Sequence, residues 1–346
     1  MGYRSSSRDE GGSTLFALVV ANTRVTDVRG ISAAGSDPEM VRFTAVLDAE
    51  FLLWGRPLTL NAIPVDPQGH PSPVVISRAC LERVGFPVLV LDAGCFVRPM
   101  VPLVDLRSEP GGRIDLEDGA PQARRLLEWG LRLGEELSKV SRELWIGESV
   151  PGGTTTAMAV LRALGYRATT SSSGPHNPVG LKEEVVGRAF ERAFRGVERH
   201  REDPLSAVES FGDPMMPVAM GLSLGFRGRR VLCGGTQMLA VAAALRWMGG
   251  LDGDLQVATT KYVAHDPNAN FREVADEIGV ETLVAPLDFS GSKHRGLRDY
   301  ELGFIKEGVG AGGCAVMALE SGLSPEEIAK ATEEVYEGLL RGGHAP

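Results

Sequence analysis

The sequence predicts an α/β protein: a doubly wound, mostly parallel, Rossmann-like sheet with a smaller helical subdomain contributed by the chain ends. Three observations carry this. Short β-branched apolar runs alternate with helical patterns, a strand, glycine turn and helix unit recurs, and 346 residues at 43% hydrophobic and 23% charged can bury a large core.

Taken in order, residues 1–12 are polar and Gly/Ser-rich and read as a flexible tail, as do residues 342–346, which leaves one α/β body over 13–341. Phe16 to Val20, Val88 to Leu91, Leu144 to Ile146, Val231 to Cys233, Leu255 to Ala258 and Thr282 to Ala285 are continuous apolar runs, the pattern of strands covered on both faces. Helical spacing predicts amphipathic helices over 121–140, with Leu126, Leu133, Leu137 and Val140 on one stripe, and over 181–200, from Val185 to Val197. The last helix carries a full start signal: Ser324 as N-cap, Pro325 at the first position and Glu327 closing a capping box.

Glycine is the compositional outlier, 43 of 346 residues or about 12% against an average near 7%. Placement explains it. Three units run from an apolar stretch through a glycine-rich turn into a helix of small residues: Trp145 to Gly165, Val231 to Gly249 and Phe304 to Gly322. In an open parallel sheet such turns sit at the carboxyl ends of the strands, where ligands bind.

In the first turn, the backbone of Gly152 and Gly153 with the hydroxyls of Thr154 and Thr155 forms an anion cradle. It lacks the lysine of a triphosphate loop. Read structurally, the same turn needs only threonine caps, which leaves Glu148 unexplained. The third unit holds a literal G-x-G-x-x-G at Gly308, Gly310 and Gly313. The acidic residue that a dinucleotide site needs about 20 residues on is missing, because the Ser324 helix fills that interval. What remains is Glu307 at the end of an expected strand, either a functional carboxylate or a partner of the helix dipole. Two polar loops, 171–178 and 290–298, read as surface loops, the basic second one also suited to hold an acidic ligand group or to help order a lid.

A net charge of -9 argues against a nucleic-acid partner and favours a small molecule. Cys80, Cys95, Cys233 and Cys314 are scattered, and no His or Cys cluster suggests a metal, so a reducing cytoplasm and no cofactor are expected. No apolar run reaches membrane-spanning length, and Asp9 and Glu10 interrupt the basic region before Leu15 to Ala21 that would begin a signal peptide.

The two glutamate-led turns resemble those of the nicotinate-nucleotide:dimethylbenzimidazole phosphoribosyltransferases. Glu148, Gly152, Thr154 and Thr155 stand in register with that family's first loop, E-M-G-I-G-N-T-T, and Glu307, Gly308, Gly310 and Ala311 with its second, G-E-G-T-G-A. Departures are Val150, Pro151, Gly153 and Lys306. The whole chain is more similar to a divergent archaeal and cyanobacterial branch through Asp48 to Phe51, Leu91 to Gly94, Cys233 to Gln237 and Lys306 to Gly313. The resemblance implies transfer of 5-phosphoribose from nicotinate mononucleotide to a benzimidazole nitrogen, with Glu307 as the base and Glu148 at the ribose. It implies phosphate binding by Gly152 to Thr155 and by Gly234, Gly235 and Thr236, with Gly308 and Gly310 shaping the second loop, and it implies a homodimer. Adenine as acceptor, and a non-enzymatic nucleotide-binding protein on the same scaffold, stay open.

Overall fold

A computed structural model describes residues 13–34, 39–60, 62–66 and 68–341. The expected tails at 1–12 and 342–346 lie outside them. Among the described residues seven strands make one sheet: β1 (Thr14–Val20), β2 (Val88–Asp92), β3 (Leu103–Asp105), β4 (Glu143–Ser149), β5 (Arg229–Cys233), β6 (Leu255–Thr260) and β7 (Glu281–Ala285). Their order is β3-β2-β1-β4-β5-β6-β7 and every pairing is parallel, so the mostly parallel expectation sharpens to a fully parallel sheet. All six expected strands are present. The seventh, β3, is only three residues long and half-buried, too short to show an apolar run.

Fourteen α-helices, again among the described residues, surround the sheet. They are α1 (Thr44–Trp54), α2 (Val74–Val84), α3 (Ala123–Leu137), α4 (Gly153–Ala163), α5 (Val179–Ala193), α6 (Val197–Glu202) and α7 (Pro204–Phe211), followed by α8 (Met215–Gly225), α9 (Thr236–Trp247), α10 (Lys261–Ala264), α11 (Phe271–Ile278), α12 (Arg295–Arg298), α13 (Ala311–Glu320) and α14 (Pro325–Leu340). Because side chains alternate along a strand, Leu15, Ala17 and Val19 of β1 enter one core and Phe16, Leu18 and Val20 the other. The first core is closed by α3, α4, α5, α7, α8, α9 and α11. Helices from the chain ends, α1, α2, α13 and α14, close the second. The capping box at Ser324 and Glu327 forms as expected, with both reciprocal hydrogen bonds present.

Two expectations are corrected. The single helix expected over 181–200 is broken: α5 ends at Ala193, Phe194 is extended, and Gly196 turns the chain at φ 98° before α6. Phe190 and Phe194 stack at 4.7 Å on the inside of that turn, so the apolar residues that prolonged the helical pattern pack around a corner instead. The third glycine-rich unit has no strand. Phe304 to Gly308 is irregular, and β7 is the last strand on that side of the sheet.

Candidate active site

Chain order along the sheet reverses between β1 and β4: from β1 the chain proceeds to β2 on one side, and from β4 to β5 on the other. Loops leaving the two strands therefore part, and a crevice opens at their carboxyl ends. The main cleft lies there. It spans about 1350 Å³ including its open mouth and is lined from the end of β4 and the turns after β4 and β5, from α1 and α10, and from the loops at 171–174 and 305–308.

Glu148 stands on β4 opposite Val19 of β1, one residue before the strand ends. Only 2% of it is exposed. Its Oε2 accepts hydrogen bonds from the Val150 N–H at 3.0 Å and from Gln237 Nε2 at 2.9 Å. Burial, then the charges of Asp213 and Glu307, push its pKa well above the carboxylate range. Gly153 makes the Gln237 contact possible, because a Cβ there would lie 2.1 Å from Gln237 Nε2.

Glu307 reaches the cleft from the irregular segment rather than from a strand end. That segment is held by its neighbours. Ile305 N–H donates to Ser173 O at 2.6 Å, Val309 N–H to Glu148 O at 2.8 Å, and Thr260 Oγ1 to Lys306 O at 2.6 Å. Three non-glycine residues, Ile305, Lys306 and Val309, adopt φ of 65°, 50° and 55°, a left-handed backbone that is costly for branched side chains and persists only where surroundings fix it. The Glu307 carboxylate accepts from Thr260 N–H (2.9 Å) and Thr259 Oγ1 (3.3 Å) on one oxygen and from Gly308 N–H (3.2 Å) and Gly312 N–H (3.1 Å) on the other. Burial outweighs these bonds and raises its pKa to about 7, although one edge of the side chain faces the cleft.

The anion cradle has two parts. Helix α4 starts after Gly152 at φ 82°, and α9 starts at Thr236, so two helix N-termini open on the cleft. Gly152, Gly153, Thr154, Gly235, Thr236 and Gly308 line it. The buried hydroxyl of Thr236 has no protein partner. Thr155, Gly234 and Gly310 stand behind the wall: Thr155 is fully buried, Gly234 N–H donates to Ala258 O at 2.8 Å, and a Cβ on Gly310 would lie 3.1 Å from Gly147 Cα.

Several further groups meet here through partners that the sequence did not indicate. Asp48 on α1 lines the cleft and accepts from Ser72 Oγ at 2.7 Å and Ser149 Oγ at 2.8 Å, while burial raises its pKa to about 6. Lys306, which departs from the resembled loop, is buried and donates to Asp266 Oδ2 at 2.8 Å and Gly174 O at 3.1 Å. Lys182 is buried beneath the same loop and donates to Ser171 O at 2.6 Å. Burial, then the charge of Lys306, lowers its pKa to about 7. These two lysines fix the 171–174 loop as part of the cleft wall. His70, which has no sequence partner spacing, lies between Asp66 Oδ2 at 2.6 Å and Asp299 Oδ2 at 2.9 Å. The basic 290–298 loop is not brought to the site; Lys293 pairs with Glu337, and Arg298 donates to Ser292 O.

Among the described residues no group of three or more His, Cys, Asp or Glu is placed to hold a metal ion, and no helix is long and apolar enough to cross a membrane.

The fold is found in solved structures. A nicotinate-nucleotide-dimethylbenzimidazole phosphoribosyltransferase from Thermus thermophilus superposes with a TM-score of 0.62 at 18% identity, covering 94% of this chain and 83% of that one. CobT from the same organism gives 0.63, again at 18% identity, covering 94% and 84%. No family model matches the chain. Curated relatives match it nearly end to end: a UPF0284 protein of Thermococcus gammatolerans is 49% identical over 94% of this chain and 98% of its own length, and one of Pyrococcus abyssi 49% identical over 95% and 98%. With identity at that level along almost the whole of both sequences, the chain belongs to the UPF0284 family.

Proposed function

We propose that the protein transfers 5-phosphoribose from nicotinate mononucleotide to a benzimidazole-type base, giving an α-ribazole 5′-phosphate and nicotinate in assembly of the cobalamin nucleotide loop. One observation carries this reading: a buried glutamate, Glu148, and a half-buried one, Glu307, converge on a cleft floored by two helix N-termini, in a fold shared with the Thermus phosphoribosyltransferase. The phosphate binds at Gly152 to Thr154 and at Gly235 and Thr236, where helix N-terminal N–H groups and the Thr236 hydroxyl can donate to an anion.

Held there, C1′ of the donor is positioned for attack. The acceptor nitrogen forms the new C1′–N bond from the face opposite the nicotinate as the old C1′–N bond breaks. That electron pair returns to the pyridinium ring, which leaves as neutral-ring nicotinate. The proton on the acceptor's other nitrogen passes to Glu307, whose raised pKa suits a base working near neutrality. Glu148, whose Oε2 already accepts from Val150 and Gln237, is assigned to hydrogen-bond the ribose. The reaction needs no cofactor, and we assign the enzyme to the cytoplasm as a homodimer.

One observation favours a second reading, a nucleotide-binding protein without catalysis: both Glu307 oxygens already accept backbone hydrogen bonds at the start of α13. Chromatographic measurement of nicotinate release from nicotinate mononucleotide, with 5,6-dimethylbenzimidazole, adenine and a phenol offered in turn, decides between them. Release that depends on the acceptor supports the transferase; binding of the mononucleotide with no release from any base sinks it.

A further inference from the structure

The cleft wall has a second character away from the helix N-termini. Ile31, Leu47, Ile63, Val65 and Pro73 make an apolar slot, suited to a flat aromatic ring. Among the polar groups beside that slot, two come from α1. Thr44 and Asp48 stand four residues apart, on one face of the helix, and both line the cleft. The Thr44 hydroxyl is buried with no partner. Asp48 is 3% exposed, and its oxygens take one serine hydroxyl each, Ser72 on Oδ1 and Ser149 on Oδ2, which leaves further lone pairs on both.

The position of this pair relative to Glu307 is fixed through Pro73. Gly308 approaches that proline so closely that a Cβ would lie 3.4 Å from Pro73 Cγ, and the residue before it, Ser72, is the one bonded to Asp48. Along that chain of contacts, Glu307–Gly308 to Pro73–Ser72 to Asp48, a ring over Pro73 and Gly308 would lie between Glu307 and the α1 pair. A methylated ring edge would bury a carboxylate and an unpaired hydroxyl against carbon, which is costly. An edge bearing a hydroxyl or an amino group would satisfy them.

We infer that Asp48 and Thr44 are specificity-determining residues which select an acceptor ring carrying a hydrogen-bond donor on the edge remote from the attacking nitrogen. This deepens the transferase reading and rests on it for naming the slot's occupant an acceptor.

The test is isothermal titration of the full chain with 5-hydroxybenzimidazole and with 5,6-dimethylbenzimidazole, with nicotinate release measured in parallel. Wild type is expected to bind the hydroxy compound at least about tenfold more tightly, the scale of one hydrogen bond to a charged group. In Asp48→Asn that ratio should fall severalfold, and Thr44→Val, which keeps the side-chain shape, should also lower it. Equal or tighter binding of the dimethyl compound by wild type overturns the inference, as does failure to bind either base or a ratio unchanged in both variants. Acceptor-dependent release with the preference reversed sinks this inference and leaves the transferase standing. The hydroxy preference without release from any base does the opposite.

Discussion

Glu307 Oε2 accepts a hydrogen bond from the Thr260 N–H at 2.9 Å, which ties the carboxylate to the end of β6 although its own segment belongs to no strand. Each such bond favours the ionised form and burial disfavours it; the balance lies at about 7. The rate of nicotinate release is therefore expected to climb with pH through about 7 and then level off. In Glu307→Gln the rate should fall at least ~100-fold and the climb should vanish, while nicotinate mononucleotide still binds. A pH limb that survives in the variant would assign the proton transfer to another group.

Gly312→Ala should be strongly destabilising. Its Cβ would sit 2.1 Å from the Thr259 carbonyl carbon and 2.4 Å from Thr260 N, and a backbone inside a sheet cannot retreat. A cost of about 3 kcal/mol is expected from overpacking. Gly338→Ala in α14, where nothing lies within 4 Å of the added carbon, should instead stabilise by roughly 0.5–1 kcal/mol. Urea denaturation of the two variants checks both signs.

Lys306→Met would leave Asp266 buried without its cation. Breaking one side of a buried pair costs about 3–5 kcal/mol, and a double variant that also carries Asp266→Leu should recover part of it. Because Lys306 also donates to Gly174 O, the single variant should in addition loosen the 171–174 wall, seen as faster amide exchange there.

Stability should depend on pH through Asp213, which is fully buried and bonded by Thr156 Oγ1 at 2.7 Å and Met215 N–H at 3.1 Å. Burial raises its pKa from 3.8 to about 6, so its proton is held more tightly in the folded chain than in the unfolded one. The stability this gives is complete below the unfolded value and is lost as pH rises through about 6, on the order of 3 kcal/mol in all. Melting temperatures measured at about pH 4.5 and 7 should show a shallower fall in Asp213→Asn than in wild type. Parallel slopes would show that Asp213 does not titrate in this range.

The strands were legible because a parallel sheet covered on both faces writes itself as unbroken apolar runs, as in Phe16 to Val20. The same completeness of burial hid α1, where Ala45 to Leu52 are all buried and no polar stripe marks the helical period. Glu148 and the Gly152 turn could be read locally, since strand, turn and helix follow each other in the chain. Glu307 was placed in the right cleft for a reason that proved wrong: its anchor is Thr260 of β6, 47 residues away, and not a strand of its own. Lys182 and Asp266 were invisible, and Asp48 was legible only as part of a resemblance, because their partners are set by tertiary packing.

The irregular segment around Glu307 has a consequence for synthesis. Its fixed points, Glu148, Ser173 and Thr260, all precede it in the chain, and Glu148 and Ser173 lie more than a hundred residues back. A chain growing from its N-terminus contains α4 and α9 well before residue 307 is added. The two helix N-termini that open on the cleft are thus made before the carboxylate that faces it. Its environment is complete only with α13, whose Gly312 N–H bonds the Glu307 carboxylate.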